Sequence, residues 1–253
     1  MASKYRWLSG PVLWVGCVIA LVAVWAIMEP AALVAAFDNN GRSPFELATL
    51  PVYLAIVPAV WLFDPFGGSR TRRTILKLAV TLVALMAVVK ELDLHYHVLE
   101  WLYPSFVDGE GLRPGLYKPN GMPLTGTPFK MRVITNAAVP FGMKAVIVGY
   151  FALFFGVFAA GFAYLFPKWL LGVFRLEAPA WAFGCFGASG VMVQVADRLP
   201  AWLGHSMGLA KGEGVTAAQS LMTCLEEGGE MMIAIFAVLT ILLAHHDRLR
   251  QTP

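Results

Sequence analysis

The chain has 253 residues, of which 58% are hydrophobic and only 14% are charged, and its formal net charge is +3. Soluble domains have about 25% charged residues, so this composition excludes a water-soluble globular protein and indicates a protein of the lipid bilayer. The basic residues form no patch interleaved with aromatic side chains, which excludes nucleic acid as an expected partner. Three cysteines, at positions 17, 185 and 224, have neither metal-binding nor disulfide spacing.

Six segments are long and apolar enough to span a bilayer, which requires about 20 residues. In chain order they are residues 11–28, 45–63, 75–103, 138–166, 181–196 and 220–245. The sequence therefore predicts an all-α polytopic membrane bundle of about six transmembrane helices, forming one domain over residues 1–253. Residues 104–137, between the third and fourth spans, are rich in Pro and Gly and are expected to form an irregular outer loop.

Short basic segments predict the orientation of the bundle. They precede the first span and follow the second, fourth and sixth spans. Their members are Lys4, Arg6, Arg70, Arg72, Arg73, Lys77, Lys168, Arg175, Arg248 and Arg250. With six spans, all four segments lie on one side, which predicts cytoplasmic N- and C-termini in a bacterial-type inner membrane. The bilayer is the expected partner, and association with another membrane protein or a second copy of the chain stays open.

Ionisable side chains inside a span are costly, so they are usually paired or functional. Here they are concentrated in two spans. The third span contains the charged and histidine-containing run from Lys90 to Glu100. The outer end of the sixth span contains an acidic group, which consists of Glu226, Glu227 and Glu230. At a rise of about 1.5 Å per residue, both sets reach the outer part of the bilayer, as does Lys144 of the fourth span.

Helical phase indicates which of these side chains face one another. At about 100° per residue, Asp93 and His97 share one face of the third span, whereas Glu91 and His95 share a nearly opposite face. The acidic group forms one polar stripe on the sixth span and should face the bundle interior rather than lipid. We expect the face of Asp93 and His97 to be its partner, with the face of Glu91 and His95 as the second choice.

One interpretation of this arrangement is a metal site in a membrane enzyme. Mixed carboxylate and imidazole ligands suit Fe, Zn or Mn, and helix bundles build such sites from facing helices. The candidate metal ligands are Asp93, His95, His97, Glu226 and Glu230. The candidate catalytic residues are Glu91, Lys144 and Glu227, with Lys144 as the group that stabilises negative charge.

Two other interpretations remain open. Rows of carboxylates and imidazoles inside a membrane are also typical of a proton- or cation-coupled transporter. Alternatively, the charges form a salt-bridge network in a non-catalytic accessory or structural subunit, because buried charges are tolerated when they are paired. The sequence contains no motif that decides between an enzyme, a transporter and a subunit.

Overall fold

The computed structural model describes residues 6–38, 43–108, 111–117, 128–129, 131–203 and 216–251. Its helices are α1 (Ser9–Ile27), α2 (Pro30–Phe37), α3 (Pro44–Phe63), α4 (Arg70–Glu91), α5 (Leu94–Leu102), α6 (Met131–Ile134), α7 (Phe141–Phe174), α8 (Ala178–Leu203) and α9 (Ala217–Gln251). Two short strands, β1 (Val107–Asp108) and β2 (Gly111–Leu112), pair in antiparallel orientation. The predicted all-α class is therefore confirmed.

Five helical segments of the described residues are long and apolar enough to cross a bilayer. They are Arg6–Ile27, Pro44–Phe63, Phe141–Phe174, Ala178–Leu199 and Ala217–Arg250. These segments correspond to the first, second, fourth, fifth and sixth predicted spans, so the multi-pass membrane character is confirmed. The fifth is longer than the predicted residues 181–196, because α8 begins at Ala178 and continues to Leu203. A sixth span and the orientation stay predictions.

The segment predicted as the third span, residues 75–103, is not one continuous helix, because a break separates α4 from α5. Asp93 in this break has a φ of 50°, in the left-handed region that non-glycine residues seldom adopt. The expectation that Glu91 and His95 share a face of one regular helix is therefore wrong. Asp93 and His97 keep their relation of one helical turn, since His97 N donates to Asp93 O at 3.2 Å.

The chain divides into two compact units, residues 1–85 with 163–253 and residues 86–162. In the first unit α9 is the central helix, and α1, α2, α3 and α8 pack against it. Helix α1 is antiparallel to α9, because Trp25 Nε1 donates to Ala217 O (3.0 Å) near the start of α9. Helix α3 runs parallel to α9, and Phe63 at its end contacts His245 with ring centroids 5.5 Å apart.

Two consecutive glycines allow the close packing of α9. A Cβ atom on Gly228 would lie 2.5 Å from Leu21 Cδ1 of α1, and one on Gly229 would lie 2.6 Å from Val193 Cγ2 of α8. Carbon atoms in contact are about 3.5–4 Å apart, so neither position accepts a side chain unless its neighbour moves. The glycines thus set the spacing of α9 from two helices next to the acidic group.

The second unit has an apolar core formed by α5, α7 and the segment between them. Leu99 of α5, Val107 of β1, Val133 of α6 and Met143 of α7 are all fully buried in it. The predicted irregular loop, residues 104–137, therefore includes a strand pair and a short helix that contribute to a core. Parts of this loop, at 109–110, 118–127 and 130, lie outside the described residues.

Candidate cation site

Hydrogen bonds at the end of α2 and the start of α3 fix a buried carboxylate in the first unit. Ser43 Oγ accepts a hydrogen bond from Glu46 N (3.0 Å), and Ser43 N donates to Glu46 Oε2 (2.7 Å). This capping box satisfies amide groups that the start of α3 would otherwise leave unpaired. Ser43 Oγ also donates to Phe37 O (2.9 Å), which connects the end of α2 to the first turn of α3. Glu46 is thereby held in place with only 8% of its surface exposed.

Apolar contacts place α2 against the first half of α9. Leu33 and Phe37 of α2 form a buried cluster with Cys224 of α9. Further along, Tyr53 OH of α3 donates to Glu230 O of α9 at 3.0 Å. These contacts bring Glu46 to the level of the acidic group on α9.

Asp38, Glu46 and Glu227 form a cluster that we call the carboxylate triad. One oxygen atom of each side chain lies within 4.8 Å of one oxygen atom of the other two. Asp38 ends α2 and is exposed, Glu227 of α9 is half-buried, and Glu46 is buried. The triad therefore extends from the protein surface to the interior of the first unit.

Three carboxylates at this spacing repel one another strongly when all are ionised. Two unit charges about 5 Å apart repel by roughly 3 kcal/mol at an effective dielectric constant of about 20. Shared protons or a bound cation reduce this repulsion. Oxygen ligands alone suit Ca²⁺, Mg²⁺ and Mn²⁺, whereas imidazole and thiolate ligands suit Zn²⁺ or copper. The triad could therefore hold a hard divalent cation.

Only one residue of the predicted acidic group belongs to the triad. Glu227, predicted as catalytic, is its member on α9. Glu226 and Glu230, predicted as metal ligands, lie on the same helix and are half-buried and buried, respectively. Glu226 belongs to no group of three metal-ligating atoms within the described parts of the chain. A ligand role for these two residues stays a prediction.

The other predicted catalytic residues, Glu91 and Lys144, lie in the second unit. Glu91 is buried, and its Oε1 lies 3.3 Å from Lys90 Nζ in an ion pair. Lys144, near the start of α7, is half-buried. Glu91 is thus a buried carboxylate beside the ammonium group of its neighbour Lys90. The catalytic roles of Glu91 and Lys144 stay predictions.

The two predicted imidazole ligands have different surroundings. His95 packs against Phe129 and Tyr150, with ring centroids 4.6 and 5.6 Å apart. His97 is largely exposed, and its Nδ1 lies 3.6 Å from Glu100 Oε2. Neither histidine, nor Asp93, joins a group of three metal-ligating atoms among the residues that the structure describes. Their assignment as ligands therefore stays a prediction.

At the opposite end of the first unit, acids and cations are paired. Asp64 Oδ2 lies 2.7 Å from Arg73 Nη1 and 3.4 Å from Arg248 Nη1, and Asp64 Oδ1 lies 3.0 Å from Lys77 Nζ. Burial raises the pKa of the Asp64 carboxyl, but hydrogen bonds and charge from Lys77 and Arg73 outweigh burial and hold the pKa below its ordinary value. Arg6 Nη1 pairs with Asp247 Oδ1 at 2.8 Å. We call this region the basic end, and it comprises Arg6, Asp64, Arg73, Lys77, Asp247 and Arg248.

Asp38 and Glu46 are not among the site residues predicted from the sequence. One local signal was available, because Ser43 followed three positions later by Glu46 matches the capping-box pattern. That pattern places Glu46 in the first turn of a helix at the same end of the bundle as the acidic group. Asp38 has no comparable signal, since its position depends on how α2 packs against α9.

Comparison of the chain with protein-family models, with curated proteins and with solved structures finds no match.

Proposed function

We propose that this membrane protein binds a hard divalent cation at the carboxylate triad of Asp38, Glu46 and Glu227. The observation that carries the proposal is the approach of three carboxylate oxygens to within 4.8 Å. They come from three segments of the chain: the end of α2, the start of α3 and the first half of α9. Oxygen-only ligands favour Ca²⁺, Mg²⁺ or Mn²⁺ over the Fe or Zn expected from a mixed site.

We also propose that the triad lies near the outer face of a bacterial-type inner membrane. The support comes from the basic end, where Arg6 before α1, Arg73 after α3 and Arg248 at the end of α9 lie at one end of the first unit. Lys and Arg in short loops mark the cytoplasmic side. In this proposal α4 and α5 complete a sixth span, and both termini face the cytoplasm. The cation then enters from the outside, past the exposed Asp38.

A cation at the triad would retain open coordination positions. Hard divalent cations take about six to eight oxygen ligands, and the triad supplies one side chain from each of three segments. Water or an oxygen atom of a substrate completes the shell. The site therefore suits a metal-assisted membrane enzyme, while catalytic roles for Glu91 and Lys144 stay predictions from the sequence. A cation-coupled transporter is the alternative role for the same ligands.

The test is calorimetric titration of the chelator-treated protein in mild detergent with Ca²⁺, Mg²⁺ and Mn²⁺. We expect near-stoichiometric binding of at least one ion. Glu227→Gln and Asp38→Asn should each weaken binding by about tenfold or more, which corresponds to about 1.4 kcal/mol. Glu226→Gln is the matched control, because it removes the same charge from the neighbouring position of α9.

Two results would contradict the proposal. One is a folded wild-type protein that binds none of the three ions. The other is loss of binding in Glu226→Gln with full binding in Glu227→Gln, which would favour the ligand set predicted from sequence. Thermal unfolding of each variant in the presence of chelator checks that the fold is retained.

A further inference from the structure

A different cluster of charges lies near the basic end, and we call it the Tyr164 site. Tyr164 of α7 is contacted by two cations, with Arg72 Cζ 4.8 Å and Lys168 Nζ 4.4 Å from its ring centroid. Lys168 Nζ also donates a hydrogen bond to Tyr164 OH at 2.7 Å. Arg72 belongs to the first turn of α4, and Lys168 follows Tyr164 by one turn of α7. Two helices thus direct positive charge to one ring.

The cations of this site and the neighbouring cations of α4 differ in whether they form ion pairs with carboxylates. Arg73 and Lys77 of α4 both form ion pairs with Asp64. Neither Arg72 nor Lys168 forms an ion pair with a carboxylate in the described ranges of the chain. Cation–π contacts contribute about 0.5–2 kcal/mol each, but they leave two like charges beside each other. An anion that accepts hydrogen bonds from both groups removes that repulsion.

The side chain of Arg72 is oriented by a glycine. Gly68 has a φ of +104°, and a Cβ atom there would lie 3.1 Å from Arg72 Cδ. The stem of Arg72 therefore packs directly on the backbone at Gly68, a position that other residues would strain. The guanidinium is directed to Tyr164 in advance, so an incoming anion meets a preorganised group.

The position of the site in the chain indicates the source of the anion. Helix α4 begins at Arg70, and α7 ends at Phe174, six residues after Lys168. Ends of membrane helices lie at the level of lipid headgroups, where basic clusters attract anionic lipids. Guanidinium and ammonium groups are common donors to phosphate oxygens. We propose that the Tyr164 site binds the phosphate of an anionic phospholipid, independently of the carboxylate triad.

Native mass spectrometry of the full chain in neutral detergent tests this proposal with phosphatidylglycerol and phosphatidylcholine. The wild type should prefer phosphatidylglycerol, because the choline group of phosphatidylcholine is repelled by two cations. Arg72→Gln and Lys168→Gln should each weaken phosphatidylglycerol binding on the order of fivefold, as expected for one basic contact. Arg70→Gln is the matched control, since Arg70 is exposed and has no ring contact among the described residues.

A second variant separates orientation from charge. Gly68→Ala retains every cation but requires the stem of Arg72 to shift, so it should weaken phosphatidylglycerol binding by less than Arg72→Gln does. Equal losses in Arg70→Gln and Arg72→Gln would overturn the site and indicate diffuse electrostatic attraction. Equal binding of the two lipids would also overturn it. Competition by soluble glycerol 3-phosphate at concentrations similar to those of the lipid would instead assign the site to a free phosphate compound and overturn the lipid source.

Discussion

The two ends of the first unit place charges together in opposite ways. At the basic end three cations surround Asp64, the nearest being Arg73 Nη1 at 2.7 Å. In the carboxylate triad, three acids lie together with oxygens within 4.8 Å. Charges of opposite sign stabilise the helix packing directly, whereas ionised carboxylates close to one another repel. Helix packing is therefore stabilised directly by the first arrangement, and cation binding is our proposal for the second.

Helix α3 connects these two regions, and its ends show the same contrast. At its start, backbone amides are satisfied by Ser43 and by the carboxylate of Glu46. At its end, Arg248 donates to the carbonyl oxygens of Asp64 and Phe66. An anion at the start and a cation at the end both agree with the helix dipole. Glu46 thus has a structural role in addition to its proposed role as a ligand.

The largest effect is expected for Glu46→Ala. The change removes the capping box and leaves Ser43 N unpaired in a buried position, which should lower the free energy of unfolding by about 2–3 kcal/mol. Glu46→Gln keeps an acceptor for Ser43 N and should cost less than about 1 kcal/mol, while weakening cation binding. Chemical denaturation in detergent measures both. Equal stability of the two variants would show that the capping box does not hold this end together.

A smaller loss is expected for Asp64→Asn at the basic end. Removal of a carboxylate shared by three cations should lower the free energy of unfolding by about 2 kcal/mol at neutral pH. Asp197→Asn is the control, because the pair of Asp197 with Arg198 is more exposed and should contribute less than about 1 kcal/mol.

The pH dependence of the Asp64→Asn effect follows from its cause. The folded-state pKa of Asp64 is held below its ordinary value, so its contribution to stability is fully present above the unfolded-state pKa of about 3.9 and is lost as the pH falls through the folded-state pKa. The difference between wild type and Asp64→Asn should therefore be constant from neutral pH to about pH 5 and should shrink at lower pH. A difference that grows on acidification would contradict this account.

The smallest effect, with the opposite sign, is expected for Asp38→Asn. In the presence of chelator, neutralising the exposed member of the triad should raise the free energy of unfolding by about 0.5–1 kcal/mol, because it relieves like-charge repulsion. Saturating cation should stabilise the wild type by about 2.7 kcal/mol at a hundredfold excess over Kd and stabilise the variant much less. If Asp38→Asn is less stable than the wild type in chelator, repulsion within the triad does not destabilise the fold, and this account of the triad is contradicted.

The sequence was sufficient to predict five of the membrane helices, because a long apolar run determines a span with little help from the rest of the chain. It was not sufficient for the break between α4 and α5. Residues 90–94 contain neither Gly nor Pro, and Asp93 adopts a left-handed conformation that aspartate allows but does not require. The prediction from helical phase that Glu91 and His95 share a face was therefore wrong, because the backbone conformation at Asp93 interrupts the helix.

The candidate site was predictable only in part for a related reason. Glu227 could be singled out, because an acid within an apolar helix is informative by itself. Which other acids approach it depends on tertiary packing, namely on how Leu33 and Phe37 of α2 pack against Cys224 of α9. Those residues are ordinary apolar side chains, so the partners of Glu227 could not be derived from charge and periodicity alone.

The lengths of α7 and α9 have a consequence for the membrane around the protein. These helices have 34 and 35 residues and are each about 50 Å long at about 1.5 Å per residue, whereas the hydrocarbon layer is about 30 Å thick. The excess must be accommodated by tilt, by projection into the headgroups or by local thickening of the bilayer. The thickness of the surrounding bilayer therefore acts on both helices, and lipids with longer or shorter acyl chains should change their inclination.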